Sequence, residues 1–240
     1  MGTLLVLDAG NTLSGQHVSR LALGENQVEA MNAMGYDAMG IGFMDTQVGL
    51  DALRQRVEQA SFAIVSANLV AGDTLEPLFE PYTILERDGL TFGIIGISDP
   101  NAAQGPGIGG YAIVSDPTEA ARKYVDALRP QVDTIIVLSL LGLNADQELA
   151  AAVPGINIIV GGNSGQIMME PYRVGNTLIV QQGYNGEWMG MLQATFDQRG
   201  VPSDTIVNMI TLGPEYADDP EMAAIKAKWD ALYPTPTPEF

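Results

Sequence analysis

The side chains able to do chemistry are few and mostly acidic. Asp8 closes the apolar run Leu4-Leu5-Val6-Leu7, and Asp45 comes shortly after Ala38-Met39-Gly40-Ile41, so each carboxylate would stand just past a buried strand. With Asp73 they are oxygen ligands of the kind Mg²⁺ and Ca²⁺ accept, and such a site needs no histidine. A solvated or loop-capping carboxylate is nevertheless the commoner fate of a lone Asp. Ser164, in Gly162-Asn163-Ser164-Gly165-Gln166, could be a nucleophile with His17 as its base. That run lacks the final glycine of a nucleophile elbow, and His17 has no third partner; His17 reads as a polar loop residue. Gly105-Pro106-Gly107-Ile108-Gly109-Gly110 has the letters of a dinucleotide loop. It leads into Tyr111-Ala112-Ile113-Val114 instead of opening a helix, so a plain loop is the better reading. Tyr184 and Trp188, beside Gly183 and Gly186, could line a pocket or pack against the core.

Composition narrows the chemistry further. The 240 residues carry 11 Lys and Arg against 29 Asp and Glu, a net charge of −18, with one histidine and no cysteine. Disulfides, thiolate-bound metals and cysteine nucleophiles are excluded, as is any one-chain site needing two histidines. The acidic excess argues against nucleic acid or an anionic membrane surface as partner. No apolar run reaches the roughly 18 to 20 residues that cross a bilayer, so membrane insertion is not expected. With 46% hydrophobic and 17% charged residues the chain is a folded globular one.

Short apolar runs alternate with helical periods, the pattern of an α/β fold. Strands are predicted at Thr3–Leu7, Ala38–Ile41, Phe62–Ala67, Thr134–Leu140 and Ile156–Val160, and helices at Gln27–Met34, Val48–Ser61, Pro117–Leu128, Ala145–Ala152 and Pro220–Leu232. Asp88-Gly89 predicts a hairpin joining Tyr82–Glu86 to Leu90–Ile97. Further hairpins follow from Tyr172 onward, with strands Thr177–Gln181, Trp188–Asp197 and Thr205–Thr211 and a turn at Arg199-Gly200. Residues 1–233 read as one domain, and Pro234 to Phe240 as a stiff Pro/Thr-rich tail.

The segment from Val28 to Gly42, preceded by Leu5-Val6-Leu7-Asp8-Ala9-Gly10-Asn11-Thr12-Leu13, resembles the 5′-nucleotidase branch of the calcineurin-like metallophosphoesterase superfamily. Pro81 to Ile97, Ile135 to Leu143, Val153 to Ser164 and Leu178 to Gly183 continue the resemblance in order over nearly the whole chain. It implies a four-layer αββα sandwich of two mixed sheets, metallo-dependent phosphatase-like. It also implies hydrolysis of phosphate esters, typically nucleotides, by two divalent metals that activate a water. The metal-binding motifs, however, are degenerate. Nothing before Thr3 supplies the family's opening Asp-x-His. The Gly-Asp pair is Gly10-Asn11, and Gly-Asn-His-Glu is Gly42-Phe43-Met44-Asp45. The Ser-His pair is Ser139-Leu140, and Gly-His-Ser-His is Gly162-Asn163-Ser164-Gly165. Asp8 to Leu13 also resembles, locally, the first motif of haloacid-dehalogenase phosphatases, but Gly10 stands where a second acid is needed.

The expectation is therefore a catalytically degenerate homologue, a pseudoenzyme, that binds an unknown small molecule or protein and holds no metal cofactor. No residue is assigned as catalytic. The degenerate positions are Asn11, Met44, Asp45 and Asn163, and the cleft is expected to be lined by Asp8, Asn11, Phe43, Asp45, Leu140, Asn163, Ser164 and Tyr184. The alternative is an active phosphoesterase whose altered site holds Mg²⁺ or Ca²⁺ on Asp8, Asn11, Asp45 and Asn163. The resemblance and the Pro/Thr tail favour an extracytoplasmic location, with no signal peptide in the sequence.

Overall fold

A computed structural model describes residues 4–197 and 202–234. In order these form β1 (Leu7–Asp8), α1 (His17–Leu21), α2 (Glu25–Ala33), β2 (Ala38–Gly40), α3 (Phe43–Thr46), α4 (Leu50–Gln59), β3 (Ala63–Val65), β4 (Leu69–Ala71), β5 (Tyr82–Arg87) and β6 (Leu90–Ile97). There follow β7 (Ala112–Val114), α5 (Pro117–Leu128), β8 (Thr134–Ser139), α6 (Leu143–Ala152), β9 (Ile158–Gly161), β10 (Tyr172–Val174), β11 (Thr177–Val180), β12 (Trp188–Phe196), β13 (Pro202–Thr211) and α7 (Pro220–Leu232).

Local chemistry accounts for the sharper boundaries. Asp116 caps α5 by accepting the Glu119 N–H, with Pro117 in the first turn; Asp219 and Pro220 repeat the device at α7. Asp88 and Gly89 both have positive φ, the requirement of the tight turn between β5 and β6. β1 begins later than the apolar run suggests, because the Asp37 carboxylate takes the Val6 N–H. His17 is not a loop residue: it opens the short helix α1, which the sequence reading lacked. The Arg199-Gly200 turn and tail residues 235–240 lie outside the described residues.

Parallel strands β1, β2 and β3 make one sheet, and a mixed six-stranded sheet runs β10-β11-β9-β8-β6-β5. Strand alternation sorts their side chains into three cores. Ala38 and Val65 of the small sheet meet Phe92, Ile94, Ile136, Leu138 and Ile158 of the large one. Ile95, Val137, Ile159 and Ile179, on the other face of the large sheet, pack under α5 and α6. Met39 and Ile64, on the outer face of the small sheet, pack under α2 and α4. The result is the expected four-layer αββα sandwich. The antiparallel hairpin β12-β13 adds Leu192 and Phe196 to the inter-sheet core. Trp229 ties α7 to α2 by donating to Glu29 Oε2 at 2.6 Å, while Lys228 pairs with the same carboxylate at 2.7 Å. No helix among the described residues is long and apolar enough to cross a membrane.

Candidate functional site

The C-terminal ends of β1, β2, β8 and β9 converge, where the loops of an α/β sandwich commonly form a cleft. The loop after β1 wraps around Asp45. The backbone N–H groups of Asn11, Thr12 and Leu13 donate to its carboxylate at 2.7 to 2.8 Å, and Gly42 donates from the other side at 2.8 Å. Successive N–H groups aimed at one point form an anion-binding nest, and here the anion is the chain's own side chain. Asp45 is fully buried; burial pushes it up to about 6 against the pull of these donors, and Asp8 nearby adds to the rise.

Asp8 serves the same loop. It accepts the Gly10 N–H at 2.6 Å and the Thr12 hydroxyl at 3.0 Å, and burial raises its pKa. Asn11 sits at φ +66°, a region that Asn tolerates better than most residues, and its Oδ1 accepts the Met44 N–H at 2.9 Å. The Phe43 N–H goes to Asp99 Oδ2 at 2.7 Å. Two of the three carboxylates that the sequence offered to a cation, Asp8 and Asp45, are thus engaged by backbone and hydroxyl donors.

Leu140 fills the space between the loops. It is 1% exposed. A Cβ added to Gly42 would fall 2.2 Å from Leu140 Cδ1, one on Gly10 2.8 Å from the same methyl, and one on Gly162 2.8 Å from Cδ2. Three glycines from three loops therefore form the walls of a slot, and the isobutyl group occupies it. Asn163 closes the slot by donating its amide to the Leu140 carbonyl at 3.1 Å.

Behind Leu140 lies a buried polar chain. Ser139 donates to Asp146 Oδ1 at 2.5 Å and Gln181 donates to Oδ2 at 3.3 Å, while the Ser164 hydroxyl donates to Gln181 Oε1. Asp146 is fully buried and is pushed up to about 7 by desolvation, with Ser139 and Gln181 pulling the other way.

Of the residues singled out in the sequence, Asp8, Asn11, Met44, Asp45, Leu140 and Asn163 come together through these contacts, and Phe43 joins by its backbone. Ser164 belongs to the Gln181 chain, so the hydroxyl of the supposed Ser164–His17 pair has another partner. Tyr184 borders the loop: a Cβ on Gly165 would meet its ring at 3.5 Å. Asp73 is exposed in the turn after β4 and takes no part in these contacts. Among the described residues no group of three or more His, Asp or Glu is placed to hold a metal ion. A cavity of about 430 Å³ lined by Arg129, Ile135, Gly155 and Thr177 lies at the opposite end of the large sheet.

Asp99, Asp146 and Gln181 escaped the sequence reading. A shared signal existed for two of them: Gln181 directly follows β11, and Asp99 stands two residues past β6. Asp146 lies in the first turn of α6, a common place for an ordinary capping acid.

No family model matches the sequence. Among individual proteins, the chain is 28% identical to a trifunctional nucleotide phosphoesterase, YfkN, of Bacillus subtilis, over 87% of this chain and 17% of that protein. It is 28% identical to the 5′-nucleotidase of Bos taurus, over 94% of this chain and 44% of that one. The chain thus spans less than half the length of these relatives. The crystal structure of a 5′-nucleotidase precursor from Thermus thermophilus superposes with a TM-score of 0.85 at 27% identity, covering 96% of this chain and 50% of the other.

Proposed function

We propose that this chain, which belongs to the 5′-nucleotidase branch of the calcineurin-like metallophosphoesterase superfamily and carries degenerate metal-ligand motifs, is a non-catalytic member that serves as a binding module. The observation that carries the reading is the seating of Leu140 among Gly10, Gly42 and Gly162. An apolar plug there leaves no room for an ion and its water. The donor set points the same way, because the matching positions hold the amides of Asn11 and Asn163, the thioether of Met44, Leu140 and Gly165. The residues present do not fit a pair of divalent metals.

Phosphate would also find poor reception. The loops at 8–13, 42–46, 139–142, 161–165 and 181–186 contain no Lys or Arg, and the nest of N–H groups is filled by Asp45. The favoured occupant of the cleft rim is a neutral or cationic small molecule, or a protein segment, meeting Tyr184, Asn163 and Ser164. The net charge of −18 supports a partner other than nucleic acid, and the family resemblance supports a location outside the cytoplasm.

The test is an assay of purified protein with AMP and p-nitrophenyl phosphate in added Mn²⁺, Co²⁺, Zn²⁺, Mg²⁺ or Ca²⁺, beside elemental analysis. The expected result is no metal-dependent turnover and no stoichiometric metal. Turnover that requires a divalent ion and disappears in both Asp8→Asn and Asn163→Ala would instead support the altered-site enzyme.

A further inference from the structure

The chain Ser139, Asp146, Gln181, Ser164 links α6 to the end of β8, the end of β11 and the loop after β9, on one side of the cleft. Ser139 immediately precedes Leu140, and its hydroxyl both donates to Asp146 and accepts the Leu141 N–H at 3.2 Å. Gln181 carries the connection on to Ser164, in the loop that holds Asn163. Gly161 permits the close approach: a Cβ there would lie 2.6 Å from both Asp146 Oδ2 and Gln181 Nε2. One fully buried carboxyl thus anchors the strand end that bears the plug and, through one amide, the loop opposite it.

No charged side chain compensates this carboxyl. Strands β8, β9 and β11, which surround it, carry no ionisable residue. The other elements against α6 are α5, with Glu119, Arg122, Lys123, Tyr124 and Asp126, and β10, with Tyr172 and Arg173; α6 itself adds Glu148. Arg122 is directed to the Ala152 carbonyl at the far end of α6. None of these charges contributes to the shift of Asp146, whose causes are burial, Ser139 and Gln181.

We propose that Asp146 is a proton-operated latch on the cleft, closed when its carboxyl is protonated and released when the carboxyl ionises and is drawn to water. The direction follows from linkage. In the closed form the group titrates at about 7, raised from 3.8 by burial; opened to solvent it would regain its ordinary acidity. Opening therefore releases a proton between those values and is favoured as pH rises. In that window each pH unit multiplies the opening equilibrium by up to about tenfold, and above the closed-state value the dependence flattens. Release would loosen residues 139–141 and 161–164 together and lift Leu140 from its glycine slot. The latch is independent of whether the cleft hydrolyses anything.

Native-state hydrogen exchange tests this on the intact protein. The Gly162 N–H, bonded to the Ser139 carbonyl at 2.8 Å, reports the latch. After division by intrinsic exchange, its opening constant is expected to rise about 50-fold from pH 5 to pH 7 in wild type, to be insensitive to low urea, and to be flat in Asp146→Asn. Ser139→Ala removes a donor that favours the ionised form, so it should move the end of the slope to higher pH, and it serves if Asp146→Asn fails to fold. A flat wild-type profile, a slope that survives Asp146→Asn, or an unmoved profile in Ser139→Ala would overturn the proposal.

Discussion

Replacing Leu140 by Ala tests the reading of the cleft most directly. The change removes three carbon atoms from a side chain that is 1% exposed. Buried Leu→Ala substitutions cost about 2.7 to 5 kcal/mol, and the value within that range depends on how far the surroundings collapse. Here collapse is hindered. The walls are Gly10, Gly42 and Gly162, which have no side chains to swing inward, and the backbone behind two of them is pinned to the Asp45 carboxylate through Asn11, Thr12, Leu13 and Gly42. The cost should therefore lie in the upper half, about 4 kcal/mol. For a chain of this size that corresponds to a fall in Tm of roughly 8 to 16 °C. Urea and thermal unfolding of wild type, Leu140→Ala and Leu140→Met give the comparison, with Met expected to lose less than about 1.5 kcal/mol. A loss below about 1 kcal/mol for the alanine variant would mean that Leu140 does not fill the slot, and the argument for a plugged cleft would fall with it.

Other perturbations probe the supports of the site. Asp45→Asn keeps the shape but turns an NH₂ group toward the surrounding N–H donors, so chemical denaturation should show a loss of about 2 to 4 kcal/mol. Stability should rise as pH is lowered from 8 toward 5. Asp45 at about 6 and Asp146 at about 7 bind protons in the folded state that the unfolded chain, near 3.8, releases, so unfolding free energy falls as pH climbs through that window. The upper limits are about 3 and 4 kcal/mol respectively, and denaturation midpoints across pH should lose most of this trend in the double Asn variant. Trp229→Ala should cost about 3 to 5 kcal/mol at the docking of α7. Exchange should then show α7 unprotected while β8 remains protected, because the indole donates to Glu29 of α2 and is 6% exposed.

Much of this architecture was readable from pattern alone, for physical reasons that also explain the failures. Pro117–Leu128 and Pro220–Leu232 matched to the residue because Asp, then Pro, mark a helix start chemically. Leu90–Ile97 matched because Asp88-Gly89 fixes its beginning. The opening strand did not match, since the Val6 N–H goes to the Asp37 carboxylate, although the Val6 carbonyl still accepts the Asp37 backbone N–H. Helix α1 has five residues, too few for a period to show. At the cleft, the residues gathered there could be named in advance, but the role of Leu140 could not. A sequence shows that an imidazole position holds leucine; it does not show that glycines 98 to 130 residues upstream and 22 residues downstream shape a slot to its methyl groups. Asp146 was missed for a related reason: its burial depends on Gly161 and Gln181, which reach it only through the sheet.

The seating of Leu140 also bears on history. On the reading proposed above, a return to metal chemistry has to proceed in a particular order. Asn11→Asp or Met44→His would add a ligand to a space still held by one Leu140 methyl packed against Gly42 and Gly10 and the other against Gly162, so neither would be rewarded alone. Losing Leu140 first would cost stability before any ligand existed to compensate. Every single step is then neutral or harmful although the combined change need not be, and the chain is kept in its present form by the path between states as much as by their difference.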